Sequence, residues 1–295
     1  MEKEKGQAYG LLFITFFMWG SVYVGAKLIA GAVPPPVVAC LRTCVGAVCV
    51  SLMARKHRHV KIEKKDLRLL LLIGLLGYYG TVNLVQLGIA LTGASVAALI
   101  NALTPVSVTI FAAIVLREKI TPVKLVCLAL ALAGTVVITG GTQSGGEMLG
   151  SIAVLISVVT WGLASVFVRK LTAKYPPVLV TAYGLCFSLL FHIPTGLITY
   201  LAKGAEIDLT AILVILYIGL AGTGISQFTW AKCLSILPAS TCSLFYPLQA
   251  MFSALLGAVI LSESFRPSFF IGLALISADV ALNTWESRRE SASQK

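Results

Sequence analysis

Apolar residues run along this chain in blocks of about twenty, separated by short polar breaks. The blocks lie at residues 9–31, 36–54, 67–91, 94–116, 122–140, 149–170, 177–201, 209–232, 239–261 and 267–285. Wound as α-helix, each is long enough to cross roughly 30 Å of hydrocarbon. The pattern predicts an all-α integral membrane protein with ten transmembrane helices, numbered here as spans 1 to 10. Little chain is left outside them, so no soluble catalytic domain is expected.

The pattern also repeats. Trp19-Gly20 recurs 142 residues later as Trp161-Gly162, and Pro34-Pro35 as Pro176-Pro177. Further along the spacing is 145: Ala94-Ser95 returns as Ala239-Ser240, Glu118 as Glu263 and Pro122 as Pro267. Each copy holds five spans, an odd number, so the second enters the bilayer upside down relative to the first. That is the inverted-repeat plan of secondary transporters. The expected organisation is a first repeat at 1–140, a linker loop at 141–148, a second repeat at 149–286 and a tail at 287–295.

Composition agrees with a membrane class: 58% of residues are hydrophobic and 12% charged, far from soluble averages. The net charge of +11 would suggest nucleic acid if it were clustered on one domain. Instead the basic residues concentrate in alternate loops, above all Arg55, Lys56, Arg58, Lys61, Lys64, Lys65 and Arg68, while the opposite side holds only Lys27, Lys203 and Arg266. By the positive-inside rule both termini and the 55–68 loop are cytoplasmic, and the loop at 140–150 faces outward. The basic loop reads as a topology signal in contact with anionic lipid. No nucleic-acid partner is expected; membrane lipids are. The first block exceeds a signal-peptide core and lacks a small-residue cleavage site, so it is expected to remain as span 1 of a multi-pass protein of the cell membrane.

Enzyme motifs are missing. Gly-Lys never occurs, which removes a phosphate-binding P-loop, and there is no Gly-x-Ser-x-Gly elbow. His57 and His59 lie in the basic loop and His192 has no His or Glu at metal-ligand spacing. The seven cysteines sit within the blocks and form no Cys-x-x-Cys pair, as expected of small packing residues. No catalytic residue, metal or cofactor is expected.

Polar residues inside the blocks fall on helical faces. Tyr79, Asn83 and Gln86 make one stripe on span 3; Thr223, Gln227 and Trp230 make one on span 8. Asn101 and Tyr246 align at the 145 spacing, each about half-way along its span. Polar groups at that depth must bond between helices or line a wet cavity. Trp19, Tyr23 and Lys27 share a face of span 1, matched by Trp161, Ser165 and Arg169 on span 6; both tryptophans lie too deep for the interfacial belt.

Charges within the spans have structural explanations beside functional ones. Arg42, about six residues into span 2, is expected to snorkel or to bond helix-end carbonyls. Asp279 in span 10 is the one carboxylate well inside a block and hence a candidate for proton coupling, yet Gly134 is its counterpart. Glu118 and Glu263 each precede a proline by four residues, which suits the start of the next helix.

The residues resemble the EamA family of the drug/metabolite transporter superfamily: Trp19-Gly20-Ser21, Lys27, Pro34-Pro35, Arg42, Ala94-Ser95, Thr104-Pro105-Val106 and Glu118, then Trp161-Gly162, Trp230-Ala231, Ala239-Ser240, Leu248-Gln249 and Glu263. The resemblance implies a ten-helix carrier with a central cavity formed mainly by spans 1, 3, 4, 6, 8 and 9, and small organic cargo, often amino acids or metabolites and often exported. One departure is Ala250, which stands where the first copy has Pro105, so span 9 is expected to be straighter than span 4. Arg42 also has no mate, since Gly184 occupies its repeat position.

The resulting expectation is a secondary transporter of a small organic solute working by alternating access. A non-transporting membrane receptor or scaffold is the competing class. Residues expected to touch cargo are Trp19, Tyr23, Tyr79, Asn83, Asn101, Trp161, Ser165, Gln227, Tyr246 and Gln249. Their aromatic share suits an apolar, aromatic or cationic moiety, and no charge in the set selects an anion.

Overall fold

The computed structural model describes residues 2–57, 59–117, 145–243 and 245–262, with scattered positions among 122–133 and 267–282. Among the described residues the regular structure is helical throughout. Eight helices are long and apolar enough to cross a membrane: Gly6–Leu28, Pro35–His57, Lys64–Thr92, Ala94–Leu116, Gly146–Thr172, Pro177–Lys203, Leu209–Ile236 and Ala239–Leu261. They correspond to spans 1 to 4 and 6 to 9. Most of the expected spans 5 and 10, with Glu118, Glu263 and Asp279, lies outside the described residues.

The ends follow from local chemistry. Spans 2 and 7 begin with Pro35 and Pro177 in the first turn, where a missing N–H costs nothing. Spans 4 and 9 end at Arg117 and Ser262, both left-handed with φ of 57° and 53°, which close the helices by bonding back to Ala112 and Gly257. Large apolar side chains such as Phe13, Ile114, Leu201 and Val259 stay on the outer surface, as required where the solvent is hydrocarbon.

The packing is interchangeable between halves. Span 1 lies against spans 8 and 9, and span 6 against spans 3 and 4; span 2 lies against 7 and 8, and span 7 against 2 and 3. Swapping 1–4 for 6–9 maps that set onto itself. Glycines set the closest approaches. A Cβ on Gly74 would meet the Gly184 carbonyl oxygen at 2.8 Å and the Ser188 nitrogen at 3.0 Å. Its counterpart Gly219, 145 residues on, would put one 2.7 Å from Val45 Cβ and 3.1 Å from the Arg42 carbonyl oxygen. Small residues let backbones touch in a membrane, where dispersion rather than water drives helix association.

Two irregularities also occur in both halves. Span 3 winds as π-helix over Ile73–Thr81 and span 8 over Leu220–Ile225. Spans 4 and 9 are each broken, into Ala94–Asn101 and Thr104–Leu116, and into Ala239–Ser243 and Tyr246–Leu261. The expectation of a straighter span 9 is therefore corrected. Ala250 does occupy the register position of Pro105, but Pro247, in the first turn after the break, does the same work.

Candidate functional site

The two broken helices, the two π-helical segments and the two deep tryptophans converge on one cavity. It is lined by Trp19, Val22 and Tyr23 of span 1, Arg42 of span 2, Gly77, Thr81, Val82 and Val85 of span 3, Asn101 of span 4, Trp161 of span 6, Gln227 of span 8, and Tyr246 and Gln249 of span 9. The centre of a water-sized sphere has about 60 Å³ to move in, several times the roughly 10–15 Å³ that a single water needs.

Its aromatic wall is a connected set of rings. Trp19 stands edge-on to Trp161 at 5.8 Å between centroids and lies 5.9 Å from Tyr246; Phe16 and Trp230 close the cluster behind them. The Trp161 indole N–H donates to the Tyr246 hydroxyl. That bond ties the middle of span 6 to the break in span 9 and fixes the hydroxyl at the cavity edge.

Its polar wall is under-bonded. Asn101 Oδ1, Gln227 Oε1 and Gln249 Nε2 are buried and, among the described residues, have no hydrogen-bond partner. The Tyr23 phenol interacts with Gln249 and Asn101 and lies within reach of the Arg42 charge. A buried amide end left unbonded costs about 1–3 kcal/mol, so three on residues that line one space make a site that a hydrogen-bonding guest or water would stabilise.

Among the described residues Arg42 is the one cation in the lining. It does not snorkel: the residue is 5% exposed and sits seven residues past Pro35, about 10 Å along the span. Its Nε donates to Thr223 Oγ1 at 2.8 Å. The Thr223 hydroxyl gives its own proton to the Ile218 carbonyl, five residues back, at 3.2 Å, so it can only accept from the guanidinium. The π-helical winding of span 8 places Thr223 there. Sequence reasoning assigned Arg42 to the helix surface because depth along a span says nothing about which neighbour it faces.

Of the residues expected at the site, the structure brings Trp19, Tyr23, Asn101, Trp161, Gln227, Tyr246 and Gln249 together. It puts three elsewhere. The Tyr79 hydroxyl bonds Thr195 and its ring packs on Phe191 and His192. Asn83 Nδ2 donates to the Tyr79 carbonyl and meets His192 Nδ1. Ser165 is fully buried outside the lining. Val22, Gly77, Thr81, Val82 and Val85 were missed; Val22 follows Trp19 by three residues and Val85 follows Thr81 by four, a spacing visible in the sequence but silent without polar chemistry.

The cations expected on the tryptophan faces do something else. Lys27 Nζ reaches the Ile89 and Ala90 carbonyls at 3.4 and 3.5 Å, and Arg169 Nη1 donates to the Leu234 carbonyl. These are equivalent positions in the last turns of spans 3 and 8, where a cation complements the helix dipole. Among the described residues no group of three His, Cys, Asp or Glu side chains is placed to hold a metal.

This multi-pass helical membrane protein, with its central cavity of aromatic rings and amides, falls in the class of membrane transporters by the family and relatives it matches. More particularly, residues 7–140 and 148–285 each match the model of the EamA-like transporter family, and the chain belongs to that family. It is 26% identical over 290 residues to the uncharacterized transporter YoaV of Bacillus subtilis, covering 95% of this chain and 98% of that one. It is 25% identical over 292 residues to a probable terminal-alkyne amino-acid exporter of Streptantibioticus cattleyicolor, covering 97% of each. A crystal structure titled only as that of a protein superposes with a TM-score of 0.74 at 22% identity, over 96% of this chain and 98% of the other; at that identity it speaks for the fold.

Proposed function

We propose that the protein is a secondary carrier that moves a small organic solute across the cell membrane by alternating access, with export the expected direction. The observation that carries this reading is the cavity itself: unpaired amide ends beside edge-on and tilted aromatic rings, at the junction of two halves with interchangeable packing. Two five-helix repeats in opposite orientation, ten helices in all, with both termini cytoplasmic, would let the halves rock about that fixed point. Residues Trp19, Tyr23, Asn101, Trp161, Gln227, Tyr246 and Gln249 are the proposed cargo contacts, and the broken spans 4 and 9 the proposed moving parts. The relative named as an amino-acid exporter supports amino acids as one class of cargo.

Reconstitution tests the reading. Proteoliposomes loaded with a mixture of amino acids and other small metabolites should exchange at least one labelled solute faster than empty liposomes. Asn101→Ala and Tyr246→Ala should each weaken that solute's binding by about 1 kcal/mol or more. A receptor or scaffold would bind without flux. No solute-dependent exchange across the whole mixture, from protein that remains folded, would sink the carrier reading.

A further inference from the structure

We infer that the cavity receives the carboxylate of a small, mainly apolar solute, and that the Arg42 guanidinium is the group that takes it; this rests on the carrier reading above. Arg42 is 95% buried from the 5% exposure it retains, deep in an apolar span, and a cation there is costly unless something neutralises it. Among the described residues it has no carboxylate partner: the ion pairs there join Glu63 and Asp66 to Lys65 and Lys174 at a membrane margin. One nitrogen, Nε, is spent on Thr223. The two terminal amino groups make no hydrogen bond among the described residues, and the residue lines the cavity.

That leaves the flat end of a guanidinium, two parallel donors, unspent on a residue that lines a space with room for a small group. A carboxylate is the anion whose two oxygens match that fork. The rest of the lining says what the carboxylate is attached to. Tyr23, Asn101 and Gln249 supply neutral donors and acceptors next to Arg42, while Trp19, Val22, Val82, Val85 and Trp161 offer apolar and aromatic surface. Among the described residues no second cation lines the cavity, so the fit is to a monocarboxylate rather than to a dicarboxylate or a phosphate ester. The anchor is peculiar to the first half, because the repeat position of Arg42 is Gly184, against which the Tyr78 ring packs instead.

The test uses the purified full chain and matched probes: each apolar or aromatic L-amino acid, its amide, and the corresponding acid without the amino group. Binding is read by calorimetry and by thermal shift. For the best-bound side chain the two acids should bind at least about tenfold more tightly than the amide, the scale of a hydrogen bond to a charged group. Arg42→Gln should erase that ratio, and Arg42→Lys should keep only part of it, since an ammonium lacks the fork. A purely structural tie between spans 2 and 8 would lower the unfolding temperature of Arg42→Gln and leave the acid-to-amide ratio intact.

The inference is overturned if the amide binds as well as the acids to the unmodified protein, if the ratio survives Arg42→Gln, or if no acid in the panel binds. The first comparison needs no variant, so a misfolded Arg42→Gln does not protect the idea. The two readings fail separately. Flux of amides or amines that ignores Arg42 would keep the carrier and discard the carboxylate site. Selective binding of acids with no flux of any solute would do the reverse.

Discussion

Spans 3 and 8 solve one problem in two ways. Both wind as π-helix at equivalent places, and both have at the edge of that stretch a glycine, Gly74 or Gly219, pressed against the neighbouring span. A π-helical segment displaces backbone carbonyls from their usual partners, and in a membrane something must bond them. In span 3 the Leu76 carbonyl is taken by Thr81 of the same helix at 3.1 Å, and the Tyr78 carbonyl by His192 of span 7 at 3.0 Å. A carbonyl only accepts, so His192 carries its proton on Nε2 and its Nδ1 accepts from Asn83. In span 8 the Ile218 carbonyl is taken by Thr223 of the same helix, which is then free to hold Arg42. The first solution is closed and neutral; the second leaves a cation open to the cavity. Equivalent folds have diverged at the positions where the chemistry sits.

The largest effect is expected where the halves are the same. Gly74→Ala and Gly219→Ala each gain up to about 1 kcal/mol of helix propensity. Each also drives a methyl group to within 3.1 Å of backbone or Cβ atoms on the facing span, atoms that move only with the helix. Overpacking of that kind costs about 1–3 kcal/mol and sometimes more, so after the propensity gain both variants should show a net loss of up to about 2 kcal/mol in reversible unfolding from mixed micelles. Similar losses would uphold the equivalence of the halves. A neutral result at one site only would break it.

The next pair sharpens the difference. Thr223→Val removes the acceptor of a buried guanidinium and the donor to a displaced carbonyl, and should cost about 1–2 kcal/mol. At the equivalent position the Tyr78 hydroxyl has only Thr181 as a polar neighbour and no well-formed hydrogen bond among the described residues, so Tyr78→Phe should change stability by less than about 0.5 kcal/mol. Equal costs would mean that the hydroxyls, and not the arginine, separate the two bulges. Between these two stands His192→Leu, which leaves the Tyr78 carbonyl unbonded and should cost about 1 kcal/mol, within the range measured between membrane helices.

Much of this was legible in the chain, for a physical reason. A bilayer demands about twenty apolar residues per crossing, so spans at 94–116 and 239–261 were readable to the residue. Repetition marked the tryptophans and Asn101 with Tyr246, because a duplicated core keeps its spacing. What the sequence hid were matters of winding and facing. A π-helical segment changes no composition, so Tyr79, Asn83 and Gln86 were read as one α-helical stripe although span 3 is π-helical from Ile73 to Thr81. Arg42 was misread for the same reason, since its partner Thr223 is brought round by the other bulge. Pro247 was overlooked because it lies three residues off the 145 register.

The smallest effect is expected at the helix starts outside the membrane, where the halves differ again. Asp208 caps span 8 by accepting from the Ala211 N–H at 2.7 Å. Its counterpart Glu63 begins span 3 without such a bond, its carboxylate turned instead to Lys174 and Lys65, with its own N–H given to the Tyr175 hydroxyl. Lys174, joined also to Asp66 at 2.7 Å, thus holds the end of span 6 to the start of span 3. Hydrogen bonds from Lys174, then from Lys65, keep the Glu63 carboxyl below its ordinary range, and the bonds that Lys174 gives to Asp66 and Glu63 raise its ammonium above its own. The depressed carboxyl contributes stability above its unfolded value, about 4.3, and loses it as pH falls through the folded one. The raised ammonium contributes below about 10.4 and loses it as pH rises further. Lys174→Met should therefore be slightly less stable than the parent between about pH 5 and 10, with the gap closing as acid titrates Glu63. Both groups are exposed, so salt should shrink the gap as well. Unfolding temperatures of parent and variant at pH 7 and pH 3.5, in low and high salt, check this; a gap that widens in acid would show that Lys174 stabilises by packing and not by charge.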